Sequence, residues 1–578
     1  MTTLEKYELW CNSSYFDDET KEELKGICNN QEEIEDRFYK DLEFGTGGLR
    51  GIIGAGTNRM NLYTVRKATQ GLANYIKQEK GEKKGVAIAY DSRNMSKEFA
   101  KEAALCFAGN GIRVYLYSEL RPTPMLSFAV RQLKCIAGVV ITASHNPAEY
   151  NGYKVYWEDG AQITYPRDKK IISEVKQVNS YNEIHMISEK EAVETGLLRY
   201  LERDIEDLYM DELKKLVLSS EEIKNQSKSL KIVYTPLHGT GNVPVRRILK
   251  ELGFEHVYVV KEQELPDGNF STVEYPNPED KNAFKMALEL AREVEADIVL
   301  ATDPDADRLG VYAKHPLTGE YIPFTGNMSA SLMLEYEITR KKELDILSEN
   351  SVVVTTIVSG KMGKDIADYY QLSYMETLTG FKYIGEKIHQ FERENSYEFL
   401  FGYEESYGCL LGTYARDKDA VVAVMLLCEM AAYYKDKGIS LCEQMEYLYQ
   451  KYGYHQEELL TVTLKGKDGA KQISNIMEGI RKNPLKKIGE YTVEKFYDYE
   501  QDIAFDIKKN KKTKTGLPKS NVLYFQLEGN SWCCIRPSGT EPKVKCYIGV
   551  KEDVIENSNL KIQTLTKELE KLLKNEAS

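Results

Sequence analysis

Ile136-Ala137-Gly138-Val139-Val140-Ile141-Thr142-Ala143-Ser144-His145-Asn146-Pro147 is the stretch on which the fold turns. Its first six residues form an unbroken apolar run, the pattern of a strand buried on both faces of a sheet. Small residues then lead to Ser144, and Asn146-Pro147 stops regular structure and forces a turn. Ser144 therefore belongs in a short loop at the C-terminal end of a core strand. In an open α/β sheet, ligands bind at that edge. On its own such a serine is as easily a turn former. The nucleophile-elbow pattern Gly-x-Ser-x-Gly is absent, because Thr142 and Asn146 occupy the glycine positions.

Working outward, the chain alternates strand and helix patterns, which implies parallel or mixed sheets. Upstream, Val65, Ala68, Leu72 and Tyr75 share one helix face. Gly85 to Tyr90 and Ile112 to Tyr117 read as strands, with Ser96 capping a helix that runs to Gly109. Leu197 to Val217 reads as a closing helix, and the polar segment Leu218 to Ser229 as a linker. A second unit opens at Lys231-Ile232-Val233-Tyr234-Thr235-Pro236. A third opens near Gly326 with a helix, followed by the strand Val352 to Thr356. Beyond residue 456 the texture changes to Tyr491-Thr492-Val493, Val522 to Phe525 and a last helix with Ile562, Leu565, Leu569 and Leu572 on one face. The expected organisation is three α/β domains, 1–217, 218–325 and 326–455, and a smaller α+β domain, 456–578.

Composition excludes several classes. The net charge of −13 argues against a general nucleic-acid binder. The lysine run from Lys508 to Lys514 reads as a solvated loop. Ten cysteines without a Cys-x-x-Cys pair imply neither a zinc site nor a disulfide framework, and fit reduced thiols in a cytoplasmic protein. The N-terminus lacks the basic and apolar regions of a signal peptide. The apolar stretch Ala420 to Tyr434 is too short to span a bilayer and reads as a core helix, so no membrane association is expected.

Four further segments carry chemistry. Gly45-Thr46-Gly47-Gly48-Leu49-Arg50-Gly51 lacks the preceding strand that a dinucleotide-binding turn requires, and reads as a flexible backbone holding Arg50 toward an anion. After the strand Ala296 to Thr302 comes Asp303-Pro304-Asp305-Ala306-Asp307-Arg308. Its carboxylates, two residues apart, converge if the backbone is extended, and would repel without a cation. Oxygen-only ligands suit Mg²⁺, and the spacing of an EF-hand is absent. Glu404 and Ser406, after Phe399-Leu400-Phe401, suit hydrogen bonds to adjacent hydroxyls of a polyol. Arg536-Pro537-Ser538-Gly539-Thr540-Glu541-Pro542-Lys543 combines cations, hydroxyls and a glycine, the parts of a phosphate site.

Taken together, the serine, aspartate, glutamate and arginine loops resemble the α-D-phosphohexomutase family, and their order spans nearly the whole chain. The details Thr235 to Gly241 and Gly402 to Gly408 are most similar to its bacterial phosphoglucomutase branch, which has phosphopentomutase and hexose-bisphosphate synthase relatives. The resemblance implies four domains around a central cleft, a phosphoserine at Ser144, and Mg²⁺ on Ser144, Asp303, Asp305 and Asp307. Arg50, His145, Lys154 and Arg308 would serve the phosphoryl and proton transfers. Thr379, Glu404, Ser406, Lys418, Arg536, Ser538, Gly539 and Thr540 would hold a sugar phosphate. The implied reaction interconverts glucose 1-phosphate and glucose 6-phosphate through glucose 1,6-bisphosphate, in a monomer or weak homo-oligomer. Phe381 stands where some phosphomannomutase-type members carry a histidine, which disfavours that dual specificity. A catalytically silent homologue would be expected to have lost the serine or an aspartate, and here both are intact. A phosphatase would have to admit water to the phosphoserine, and an ATP-dependent phosphotransferase would need a P-loop, which is absent.

Overall fold

The computed structural model describes residues 1–45, 47–463, 469–537 and 543–577. Four sheets follow one another along the chain. In the first, Ala137–Ile141, Val86–Tyr90, Val114–Tyr117 and Leu198–Leu201 run parallel, and Gly48–Ile52 and Tyr150–Trp157 add antiparallel strands at one edge. In the second, Ile298–Thr302, Lys231–Thr235 and His256–Val259 are parallel, with Leu309–Lys314 and Tyr321–Phe324 added antiparallel. The third repeats the theme with Ser373–Thr377, Ser351–Thr356 and Glu398–Tyr403 parallel and Cys409–Leu411 antiparallel. The sheets are therefore mixed, with parallel interiors. Val86–Tyr90, Ala137–Ile141 and Ile298–Thr302 are buried at every position, which explains their unbroken apolar sequences.

The fourth sheet is antiparallel and β-rich, and its alternation assigns its two faces. Cys533 and Ile535 pack on the helices Gly469–Lys482 and Ile555–Ala577. Trp532 and Cys534 face the other way, onto Ile357, Val358 and Leu378 of the third unit. That packing seats the fourth unit beside the cleft. Ala420 to Tyr434 are all buried within the helix Ala420–Asp436, the central core helix. No helix among the described residues is long and apolar enough to cross a membrane.

Several local expectations change. Leu197 to Val217 is not one helix: Leu198–Leu201 forms an edge strand, Leu198 and Leu201 buried, before the helix Arg203–Lys214. Pairing with Val114–Tyr117 overrides the helical pattern. Leu218 to Ser229 is no free linker, because it contains the helix Ser220–Gln226 with Ile223 buried, and Glu429 accepts the Leu218 and Ser219 N–H groups. Ser96 is the first helical residue rather than the cap, since its hydroxyl donates to Asp91 at 2.6 Å. Gly48–Ile52 is a paired edge strand and not a flexible loop, with Arg50 opposite Gly152. In the last helix Leu573, not Leu572, completes the buried row with Leu565 and Leu569. Lys511–Thr513, in the lysine run, is a short exposed edge strand. The first 38 residues form three helices whose aromatic core around Trp10 and Phe16 closes against Tyr63 of the helix Leu62–Gln78.

Candidate active site

Ser144, the Asp303 loop and Glu404 each follow the C-terminal end of a core strand of their own sheet, the edge at which α/β ligand sites form. The Ser144 backbone is left-handed, with φ 52°, a conformation that costs a non-glycine residue roughly 1–2 kcal/mol and needs support. The Thr142 hydroxyl oxygen accepts the Ser144 N–H at 2.8 Å. Gly152 is required beneath the loop, because a Cβ there would lie 2.5 Å from the Thr142 carbonyl oxygen. Ser144 Oγ donates to Asp303 Oδ2 at 2.7 Å and lies 3.2 Å from His145 Nδ1. Burial, then the Arg308 and Arg50 charges, push the His145 pKa well below its ordinary value.

The three aspartates converge as the sequence suggests, but through a turn and not an extended strand. Asp303 Oδ1 accepts the N–H groups of Asp307 and Arg308 at 3.0 and 3.1 Å, and Ala306 is left-handed. The Thr235 to Gly241 segment braces this turn: Thr240 donates from both N–H and Oγ1 to the Pro304 carbonyl, each at 2.9 Å. A Cβ at Gly239 would meet Pro304 at 2.6 Å, so the close approach needs glycine.

All three carboxylates are buried, and an oxygen from each lies within 4.8 Å of the others. Asp305 Oδ1 and Asp307 Oδ1 have no hydrogen-bond partner. Buried carboxylate oxygens left unpartnered are costly, and a hard divalent cation would satisfy them. The donor set therefore fits Mg²⁺. Burial and the adjoining carboxylates push the Asp303 carboxyl well up. Against its own burial, Asp305 is held far down by Lys154, whose Nζ lies 2.9 Å from Oδ2, while Thr123 Oγ1 donates to the same oxygen at 2.9 Å.

Lys418 reaches in from the third unit, with Nζ 3.0 Å from Asp307 Oδ2 and 3.1 Å from Asp417 Oδ1. Its burial opposes the charge, but those carboxylates hold its pKa well above the ordinary value. Phe381 is buried with its ring 5.6 Å from Lys418 Nζ. Glu404 Oε1 accepts the Gly380 N–H at 2.9 Å, and burial lifts its pKa to about 7 against the pull of Lys418. Thr379 Oγ1 is buried without a hydrogen-bond partner.

A cleft of about 900 Å³ is lined by Arg50, His145, Arg308, Ser406 and Arg536, which come from all four units. Arg50 is exposed at its rim, with Nη1 3.3 Å from Asn146 Oδ1. Arg308 is paired with Glu279. On the far wall Arg536 pairs in register with Lys545, and burial together with Arg536 lowers the Lys545 pKa. Ser538, Gly539 and Thr540 lie outside the described residues.

Sequence reasoning missed Thr123, Glu279, Lys545 and Arg93. Lys545 was discoverable, because a hairpin alternation that points Arg536 into the cleft points its cross-strand neighbour there too. Arg93 gave only the signal of a strand end, yet its guanidinium spans four carbonyls of the serine loop.

Mixed α/β units that converge a buried serine, an oxygen-only metal site and a cationic wall define a phosphotransferase of sugar-mutase type. The chain belongs to the phosphoglucomutase/phosphomannomutase family. It matches that family's alpha/beta/alpha domain I over residues 41–182, domain II over 207–319 and domain III over 325–452. A phosphoglucomutase of Staphylococcus aureus (strain MRSA252) is 37% identical over 545 residues, covering 93% of this chain and 96% of that one. Among solved structures, parafusin (a phosphoglucomutase) from Paramecium, in its open form, superposes with a TM-score of 0.69 at 17% identity, covering 93% of this chain and 96% of that one. A phosphoglucomutase/phosphomannomutase family protein from Burkholderia thailandensis gives 0.66 at 17% identity, covering 92% and 97%.

Proposed function

We propose that the chain is a phosphoglucomutase that interconverts glucose 1-phosphate and glucose 6-phosphate through a phosphoserine at Ser144. The observation that carries this reading is the 2.7 Å approach of Ser144 Oγ to Asp303, at one end of a cleft whose other wall holds Arg536 and Lys545. A sugar with one phosphate on that wall presents its free hydroxyl to Ser144.

In the forward direction the hydroxyl oxygen attacks the phosphorus of phospho-Ser144, a P–O bond to the sugar forms, and the bond to Oγ breaks. His145, with Nδ1 3.2 Å from Oγ, is the group suited to carry the hydroxyl proton. The product of this half-reaction is glucose 1,6-bisphosphate. It turns over in the cleft, and its other phosphate returns to Ser144 Oγ by the same steps in reverse. Asp303, Asp305 and Asp307 would hold Mg²⁺ together with an oxygen of the phosphoserine. When bound, the ion neutralises charge on the transferring group. Lys154 and Arg308 supply further positive charge around that group, and Arg50 guards the rim.

Glu404 and Ser406 are suited to reading adjacent equatorial hydroxyls, which stay in place when the sugar reverses. Mannose, with its axial 2-hydroxyl, should lose about 1–3 kcal/mol of transition-state binding relative to glucose. The test is kcat/KM on glucose, mannose and ribose 1-phosphates in one buffer, with intact-protein mass spectrometry of Ser144. Glucose should lead, and one phosphate should appear on the chain. A clear lead for ribose would make the chain a phosphopentomutase, and a lead for mannose a phosphomannomutase. Absence of any isomer product would remove the mutase reading.

A further inference from the structure

The serine and the metal loop belong to different units, and Ser144 itself meets that loop through the 2.7 Å hydrogen bond to Asp303, beside the Thr123 and Lys154 contacts to Asp305. Something must fix the serine loop to the accuracy that in-line transfer requires. Hydrogen bonds within the loop are sparse. Its left-handed serine is supported locally by Thr142, by the Asn146 N–H on the Ala143 carbonyl at 3.2 Å, and by the Tyr150 N–H on the Pro147 carbonyl at 3.1 Å. The main support comes from outside.

The Arg93 side chain is wholly buried. Nη1 donates to the Pro147 and Tyr150 carbonyls at 2.8 and 3.1 Å, and Nη2 donates to the Ser144 and Asn146 carbonyls. One rigid planar fork thus clamps the loop from the nucleophile to its far end. Asp91, also buried, lies 3.4 Å from Arg93 Nε, and its Oδ1 accepts the Arg93 N–H at 3.0 Å and the Ser96 hydroxyl at 2.6 Å. Asp91 thereby backs the fork from behind.

From the second unit, Phe270 lays its ring 4.9 Å from the guanidinium carbon. Beside it, Asn94 Nδ2 donates to Asn269 Oδ1 at 2.8 Å, and Gly268 approaches Asn94 so closely that a Cβ would overlap it. The turn that carries Arg93 is therefore also the turn on which the second unit rests. The same second unit brings Asp303 to Ser144.

We propose that Arg93 is the positioning residue of Ser144: it clamps the serine loop and, through Phe270, ties the placement of Ser144 Oγ to the seating of the unit that carries the aspartates. It touches no substrate, and acts through the Ser144 backbone. The kinetic part of this inference rests on the mutase reading. The clamp itself does not.

Arg93→Lys keeps the charge but cannot span four carbonyls. Phe270→Leu keeps Arg93 and removes the ring above it. For each, kcat and KM are measured per folded protein in Mg²⁺, and hydrogen exchange is followed in the peptide covering residues 142–150. Arg93→Lys should lower kcat by about 100-fold with KM changed less than about 3-fold, the signature of a misplaced reacting group. Exchange at Asn146 and Tyr150 should rise by about 10-fold, while the strands of the first sheet stay protected. Phe270→Leu should move both readouts in the same direction by a smaller factor, and decides the matter if Arg93→Lys fails to fold. Loop exchange and kcat both at wild-type levels would overturn the inference, as would a lower kcat with an unchanged loop. If the wild-type chain turns over no sugar phosphate, the mutase reading fails, and the exchange arm alone still decides the clamp.

Discussion

Glu337 offers a prediction whose size follows directly from its surroundings. It lies in the helix Gly326–Glu343, wholly buried, with neither carboxylate oxygen hydrogen-bonded. Lys341 Nζ is 3.5 Å from Oε2, and Glu429 is close enough to add like-charge repulsion. Burial, the dominant cause, raises its pKa from 4.5 to about 8. The unfolded chain loses this proton at the ordinary glutamate pKa, while the folded chain keeps it until about pH 8. Within that window the folded state binds the extra proton, so stability falls as pH rises, by about 1.4 kcal/mol per pH unit and about 5 kcal/mol in total. Glu429 contributes in the same sense, but only up to its own pKa of about 7. Of the two, only Glu337 is still losing stability between pH 7 and 8. Glu337→Gln, neutral throughout, should remove that last slope. Because Glu337 is itself half ionised by pH 8, the loss between pH 7 and 8 is about 1 kcal/mol, and the wild-type Tm should drop about 2–4 °C further than that of the variant, taking about 2–4 °C per kcal/mol. Calorimetric scans of both proteins at pH 5, 6, 7 and 8 measure the difference. Parallel Tm profiles across pH 7 to 8 would refute the reasoning.

Three further outcomes are expected. Ser144→Ala should abolish mutase turnover while leaving the melting profile intact, because it removes the proposed nucleophile; retained turnover with added bisphosphate would sink the phosphoserine assignment. Chelation should stop catalysis and Mg²⁺ restore it, and Asp305→Asn should weaken Mg²⁺ binding, read by calorimetric titration, since it removes one of three carboxylates; full activity in excess chelator would count against the metal site. Arg536→Ala should weaken both reaction directions by about 1.5–3 kcal/mol in kcat/KM, the typical worth of a hydrogen bond to a charged group, because either phosphate of the intermediate must be held on that wall; an unchanged kcat/KM would show that Arg536 does not grip phosphate.

The sequence alone determined the three α/β units, the strand that delivers Ser144 and the strand that delivers the aspartates. Buried parallel strands write themselves as continuous apolar runs, and a polar loop straight after such a run marks the ligand edge of its sheet. The apolar stretch Ala420 to Tyr434 was legible as a core helix for a related reason, since it is apolar on every face. Where a segment's partner lay elsewhere, local pattern failed. Leu198–Leu201 read as helix because nothing nearby announces the strand it pairs with, and the supposed linker at Leu218 is ordered by Glu429 from a distant helix. The tertiary structure alone decided how the site is assembled: Lys418 against Asp307, Lys545 beside Arg536, Thr123 on Asp305, and Arg93 on the serine loop. Hydrophobic periodicity records which face of an element is buried. It carries no record of which charged group from another unit will meet that face, because such contacts form only when the units pack.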